Sequence, residues 1–261
     1  MAISNGNMEI IEFLHANRSE GCSIDAIRYA VEENKLDTIK WMHKNRIDDI
    51  PDHVYNIAID SAVFNDRLNI LIYLYDKYVE RFNNKYDCFS MRIMTMAIGN
   101  SNLEMIKWLD EKITNYSFKE QLLAAKYGNI EIFKWLYENR HIDIIRLREN
   151  IHILHEPIYG VDKSIVYACE SGNLNIIKYI INNEKSIEIS ILQEAVNPAA
   201  KNGYIDIVIY LRQTYPNKKI YNKNAMTYAA QGGHLNIIKY INNTSSKEDS
   251  TWICNKNAID L

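Results

Sequence analysis

The chain has 261 residues, 47% of them hydrophobic, with 30 basic against 33 acidic side chains and a formal net charge of −3. That balance argues against a globally basic nucleic-acid footprint, and no run approaches the ~20 apolar residues of a bilayer span. The N-terminus lacks the charged and apolar regions of a secretory signal, and Cys22, Cys88, Cys169 and Cys254 form no CxxC, as in a chain kept reduced in the cytoplasm.

One phrase recurs along the chain, and internal repeats decide the fold. It appears as AISNGNMEIIEFL (2–14), AVEENKLDTIKWM (30–42), AVFNDRLNILIYL (62–74), AIGNSNLEMIKWL (97–109) and AAKYGNIEIFKWL (124–136). An insertion at 141–162 follows, then ACESGNLNIIKYI (168–180), AAKNGYIDIVIYL (199–211), AAQGGHLNIIKYI (229–241) and a partial copy at 252–261. Met8, Leu36, Leu68, Leu103, Ile130, Leu174, Ile205 and Leu235 define position zero, at spacings of 28, 32, 35, 27, 44, 31 and 30.

Position −6 is alanine in every copy: Ala2, Ala30, Ala62, Ala97, Ala124, Ala168, Ala199 and Ala229. Position +5 is always aromatic: Phe13, Trp41, Tyr73, Trp108, Trp135, Tyr179, Tyr210 and Tyr240. At 100° per residue, positions zero, +2, +3 and +6 share one arc and are apolar except for Thr38, while +1 carries Glu, Asp or Asn and +4 is most often Lys. The spacing therefore predicts an amphipathic second helix starting near position zero.

Position −2 is Gly6, Asn34, Asp66, Ser101, Gly128, Gly172, Gly203 or Gly233, residues suited to a left-handed helix end, with Ser101 the poorest fit. Asn7, Asn102, Asn129 and Asn173 at −1 are expected to cap the second helix. First helices lie upstream, as in SIDAIRYAV at 23–31. Pro198 is expected to break or restart the first helix of the seventh copy. A lone hairpin cannot bury its apolar face, so the expected class is an all-α solenoid of stacked antiparallel helix pairs.

The phrase A-A-x-x-G-[HN]-L-x-I-[IV]-K-[YW]-[LI] resembles the middle of an ankyrin repeat, a likeness covering nearly all of 1–261 as a single array of about eight repeats. In its Ile, Asn, Lys and Tyr bias the chain is similar to the divergent ankyrin-repeat proteins of large DNA viruses of amoebae, which implies the host-cell cytosol. The T-P-L-H opening is replaced by NAMTY before Ala229, and short spacings leave little room for full hairpin fingers, so these are expected to be reduced or degenerate. The resemblance implies a non-catalytic scaffold, a monomeric array that binds one or more partner proteins through its concave face and inter-repeat loops.

Chemistry is sparse. His152 and His155, with Glu156 beside them, form an H-x-x-H in the 141–162 insertion, but zinc wants three or four ligands. A metal or enzymatic site there is the alternative function, and nucleic-acid binding through the +5 aromatics and +4 lysines is another. The aromatics are better read as packing between repeats, and the lysines as ion-paired in Asp37–Lys40, Glu104–Lys107 and Glu131–Lys134. His234 reads as a turn residue and Cys169 as core. No catalytic, cofactor or metal residue is assigned; no cofactor, nucleic acid or membrane partner is expected.

Polar capping repeats are not evident at either end, so the terminal segments are expected to fray. Amide hydrogen exchange should be faster over 2–14 than over 168–181; equal protection would refute the expectation.

Overall fold

A computed structural model describes residues 6–17, 24–45, 52–83, 88–113, 119–139, 161–184, 186–222 and 224–244. The chain divides into two compact units, Met1–Tyr116 and Ser117–Leu261. In the first unit the helices are α1 (Met8–Asn17), α2 (Ile24–Glu32), α3 (Leu36–Asn45), α4 (Asp52–Phe64), α5 (Leu68–Phe82), α6 (Ile93–Gly99) and α7 (Leu103–Lys112). In the second they are α8 (Lys119–Tyr127), α9 (130–139), α10 (Val161–Glu170), α11 (Leu174–Asn183), α12 (Ile189–Lys201), α13 (Ile205–Thr214), α14 (Ala225–Gln231) and α15 (Leu235–Thr244). Among the described residues there is no strand.

Each first helix ends in the same reversal. Position −2 has positive φ in all eight copies: 67° at Gly6, 55° at Asn34, 58° at Asp66, 61° at Ser101, and 74°, 75°, 84° and 76° at Gly128, Gly172, Gly203 and Gly233. Ser101 takes this backbone although serine has no special tolerance for it. The −1 amide returns to the carbonyl of the −6 alanine, as in Lys35 to Ala30 (2.7 Å), Asn173 to Ala168 (3.0 Å) and His234 to Ala229 (2.8 Å). With the −2 amide bonded to the −5 carbonyl, as at Asp66 to Val63 (3.0 Å), this is a Schellman motif. The four expected caps form: Asn7, Asn102, Asn129 and Asn173 accept from the amides of Ile10, Met105, Ile132 and Ile176 at 2.9–3.2 Å.

Packing follows the repeat. Ala30, Ala62, Ala97, Ala124, Ala168, Ala199 and Ala229 have no exposed surface, because the two helices of a pair close on them. Ile70, Met105, Ile132, Ile176, Ile207 and Ile237 at +2 are also fully buried. Thr38, the polar exception, is buried with its hydroxyl 3.8 Å from the Met8 sulfur. Position zero sits at the arc's margin rather than in the core, and Leu235 is 60% exposed.

Within each unit, neighbouring pairs are tied by side chains that reach the carbonyls ending the preceding first helix. Asn100 donates to Val63 (2.5 Å), Arg67 to Glu32 (3.2 Å), Ser171 to Ala125 (3.0 Å) and Asn202 to Glu170 (3.0 Å). His234 Nε2 lies 3.1 Å from the Lys201 carbonyl, the turn role expected of it.

Pro198 departs from expectation. α12 runs unbroken through it, from Ile189 to Lys201. The proline costs about 3 kcal/mol in a helix interior. Fully buried Leu192 and Val196 each contribute about 1.5–3 kcal/mol, offsetting that penalty.

His43 is buried in α3 between the rings of Tyr55 and Tyr73, each 5.4 Å away. Its Nδ1–H donates to the Ile39 carbonyl at 3.0 Å, which leaves Nε2 buried without a hydrogen-bond partner. Burial holds the ring below its ordinary value of 6.5; the Ile39 bond opposes this, Lys77 and Arg81 reinforce it, and Glu80 opposes it weakly.

Two outcomes follow from these contacts. Ser101→Gly should raise the unfolding free energy by roughly 0.5–1 kcal/mol, since a left-handed non-glycine residue costs about 1–2 kcal/mol. Gly172→Ala should lower it by at least about 1 kcal/mol, because the new Cβ would stand 2.6 Å from Cζ of Tyr204. Urea titration distinguishes the two signs.

The unfolded chain protonates His43 before the fold does. Stability should therefore be level above pH 6.5 and fall as pH drops below it toward the lower folded value. Comparing urea midpoints at neutral and mildly acidic pH, His43→Leu should show a smaller acid loss than the parent chain; an equal loss would contradict the assignment.

Candidate functional site

In the second unit α8, α10 and α12 pack side by side. Their shared contact is made by small residues, since Ala124, Ala125, Ala168, Cys169, Ala195, Ala199 and Ala200 have no exposed surface. Small side chains let the backbones approach, so the residues on the other face stand together in a cleft of about 670 Å³.

That cleft is lined from positions −11, −8, −7 and −4. α8 supplies Lys119, Leu122, Leu123 and Lys126; α10 supplies Lys163, Val166, Tyr167 and Glu170; α12 supplies Glu194. Leu122, Leu123, Val166 and Tyr167 form a half-buried apolar floor. Lys163 Nζ is 2.6 Å from Glu194 Oε2, an ion pair joining α10 to α12. Lys126 Nζ lies 5.8 Å from the Tyr167 ring centroid, within cation–π range.

The first unit carries different residues on its first helices. Tyr29 on α2 is 44% exposed, Ile57 on α4 is 44% exposed and Phe64 is 68% exposed. Arg28 lies 5.2 Å from the Tyr29 ring and bonds Asp25 at 3.0 Å.

Four of the half-buried +5 aromatics pack against a ring of the preceding repeat. Trp41 meets His15 at 5.1 Å, Tyr73 meets His43 at 5.4 Å, Trp108 meets Tyr75 at 5.2 Å and Tyr179 meets Tyr137 at 5.4 Å, all edge-on. Each partner stands at +7 of the preceding repeat, a position that the sequence reading does not single out. Tyr137 and Tyr179 also donate to Glu184 and Glu138, both at 2.9 Å. Phe13 is the exception, at 67% exposure.

Asp37–Lys40 and Glu131–Lys134 stand at 4.0 and 3.7 Å as expected, while no ion pair joins Glu104 to Lys107 among the described residues. Lys134 and Lys178 lie over the rings of Tyr179 and Tyr210, at 5.9 and 5.5 Å.

His152, His155 and Glu156 lie outside the described residues, as do Ala2, Cys22, Cys254 and the partial copy at 252–261. Among the described residues no group of three or more His, Cys, Asp or Glu could hold a metal, and no helix is long and apolar enough to cross a membrane. Cys88 and Cys169 are buried, and burial pushes the Cys169 thiol far up, away from the reactive thiolate.

The first-helix stripe was accessible to sequence reading. Leu122, Leu123 and Val166 occupy turns where an inward-facing alanine repeat predicts a solvated side. Apolar residues there break the pattern that stability alone requires.

A search of curated proteins finds no match to this chain. A family model described as Ankyrin repeats (3 copies) matches residues 122–220 and 165–251. Residues 122–251 carry ankyrin repeats, and the paired helices, left-handed turns and buried alanines of the described residues make an all-α repeat fold.

Proposed function

We propose that the chain is a non-catalytic scaffold that holds a partner protein against the first-helix face of its repeats. Ankyrin repeats are generally protein–protein interaction modules. The observation that carries the reading is the apolar floor of Leu122, Leu123, Val166 and Tyr167, open to solvent in a cleft of about 670 Å³. Stacking requires only the opposite, alanine-rich face of these helices. A solvent-facing apolar strip rimmed by charge has the anatomy of a contact surface.

The compositional likeness to ankyrin-repeat proteins of amoebal DNA viruses supports a role in the host-cell cytosol.

The test is affinity capture with the purified chain and with a Val166→Lys, Tyr167→Lys variant whose circular dichroism and melting match the parent. At least one protein should bind the parent and be depleted by about tenfold or more on the variant, equivalent to roughly 1.4 kcal/mol. Partners bound equally by both proteins would overturn this placement of the surface.

A further inference from the structure

His43 stands where the second and third repeats of the first unit meet. Its side chain is 6% exposed, and its ring lies 5.4 Å from the rings of Tyr55 on α4 and Tyr73 on α5. With Nδ1–H bonded to the Ile39 carbonyl at 3.0 Å, the Nε2 lone pair is buried without a hydrogen-bond partner. A neutral ring tolerates this at the cost of one hydrogen bond to water. A proton on Nε2 creates a buried, charged donor with no acceptor bonded to it, a far more costly group.

The surrounding rings are poor hosts for that charge. An imidazolium can rest on an aromatic face, but both rings beside His43 already carry a cation. Lys77 Nζ lies 5.9 Å from the Tyr73 centroid, and the Arg81 guanidinium lies 5.7 Å from that of Tyr55. Lys77 is also paired with Glu80 at 2.6 Å. Burial opposes a positive ring most strongly; the Ile39 bond favours one, Lys77 and Arg81 oppose it, and Glu80 favours it. The charged groups that act on the ring thus all stand on α5, while toward α1 the same helix presents Trp41 to His15 instead.

The repeat shows what the position holds elsewhere. Tyr75 and Tyr137 occupy +7 in other repeats and meet Trp108 and Tyr179 edge-on. Tyrosine makes the same contact and carries no charge near neutral pH. Packing asks for a ring at +7; the imidazole adds a dependence on protons.

We infer that the contact of α3 with α4 and α5 is a proton-operated joint, closed while His43 is neutral and opened in acid, when the charged ring leaves Tyr55 and Tyr73 for solvent and the helices of the second unit stay closed. This stands independently of the scaffold reading. Any buried histidine lowers overall stability in acid, whereas a joint opens at one place, before the chain unfolds. The open ring takes its proton at about the ordinary value of 6.5 and the closed ring only below it. Opening is therefore level above that pH and rises as pH falls beneath it.

Hydrogen exchange read by mass spectrometry on the full chain, at about pH 7.5 and about pH 5.5 and corrected for the intrinsic pH dependence of exchange, resolves opening segment by segment. Protection over α3 and α4 should fall by about three- to tenfold, the upper figure being the limit for one proton across this interval. Protection over α10 and α11 should hold. In His43→Phe, which keeps a ring at +7, the fall over α3 and α4 should vanish. Should that variant fail to fold, the parent chain still decides: proton–nitrogen correlation spectra of the imidazole should show the Nδ1–H tautomer at neutral pH and a titration below the ordinary value. Equal losses of protection in the two units, an undiminished loss in His43→Phe, or an imidazole that titrates at or above its ordinary value would each refute the joint.

Discussion

A single backbone constraint organises the described residues: the left-handed residue that ends every first helix. A helix cannot reverse within two residues unless one of them leaves the right-handed region, and for most side chains that costs about 1–2 kcal/mol. Here it occurs in all eight copies, at four glycines in the second unit and mostly at Asn, Asp or Ser in the first. The reversal returns the −1 amide to the −6 carbonyl, which brings the −6 alanine against the second helix. A larger residue at −6 would hold the two helices apart, and the complete burial of the described alanines shows the closeness achieved. The turn, the alanine and the buried +2, +3 and +6 positions are one device.

The carbonyls at the end of the first helices have spare acceptor capacity, and side chains of the neighbouring repeat use it. Asn100, Ser171, Asn202, Arg67 and His234 represent four side-chain types, yet all donate to the helix end one repeat earlier. Four neighbouring second-helix pairs are joined by rings, with the +5 aromatic of one repeat edge-on against the +7 ring of the one before. His43 occupies one of these +7 positions, which explains how a titratable group is buried in a core that otherwise excludes charge. Its unpartnered Nε2 makes that contact the one described inter-repeat ring contact conditional on the ring staying neutral.

The framework leaves one stripe of each first helix unspecified. Three sides of each helix pair are committed to the turn, the alanine contact and the stack. The remaining stripe on the first helices varies freely: Asp25, Arg28 and Tyr29 in one place, Lys119, Leu122 and Lys126 in another. In the second unit, backbones set close by small residues leave Leu122, Leu123, Val166 and Tyr167 lining one cleft. In the second unit that stripe carries half-buried Leu122, Leu123, Val166 and Tyr167 at its centre and Lys119, Lys126, Lys163, Glu170 and Glu194 around them.

The sequence by itself determined the all-α class, the repeat unit, the left-handed turn, the four asparagine caps and the buried alanines. Each of these is local, arising within about 14 residues whose period and backbone demands are visible in one dimension. Only the tertiary structure decided the rest. Pro198 stays inside a helix because burial of Leu192 and Val196 outweighs a local penalty that the chain displays by itself. The +7 partners of the aromatics, the carbonyls reached by Asn100 and Ser171, and the Lys163–Glu194 pair join residues about 30 to 45 positions apart, at distances that the irregular spacing of repeats conceals. Which side chains meet between first helices depends on how those helices are set side by side, and that is a property of packing.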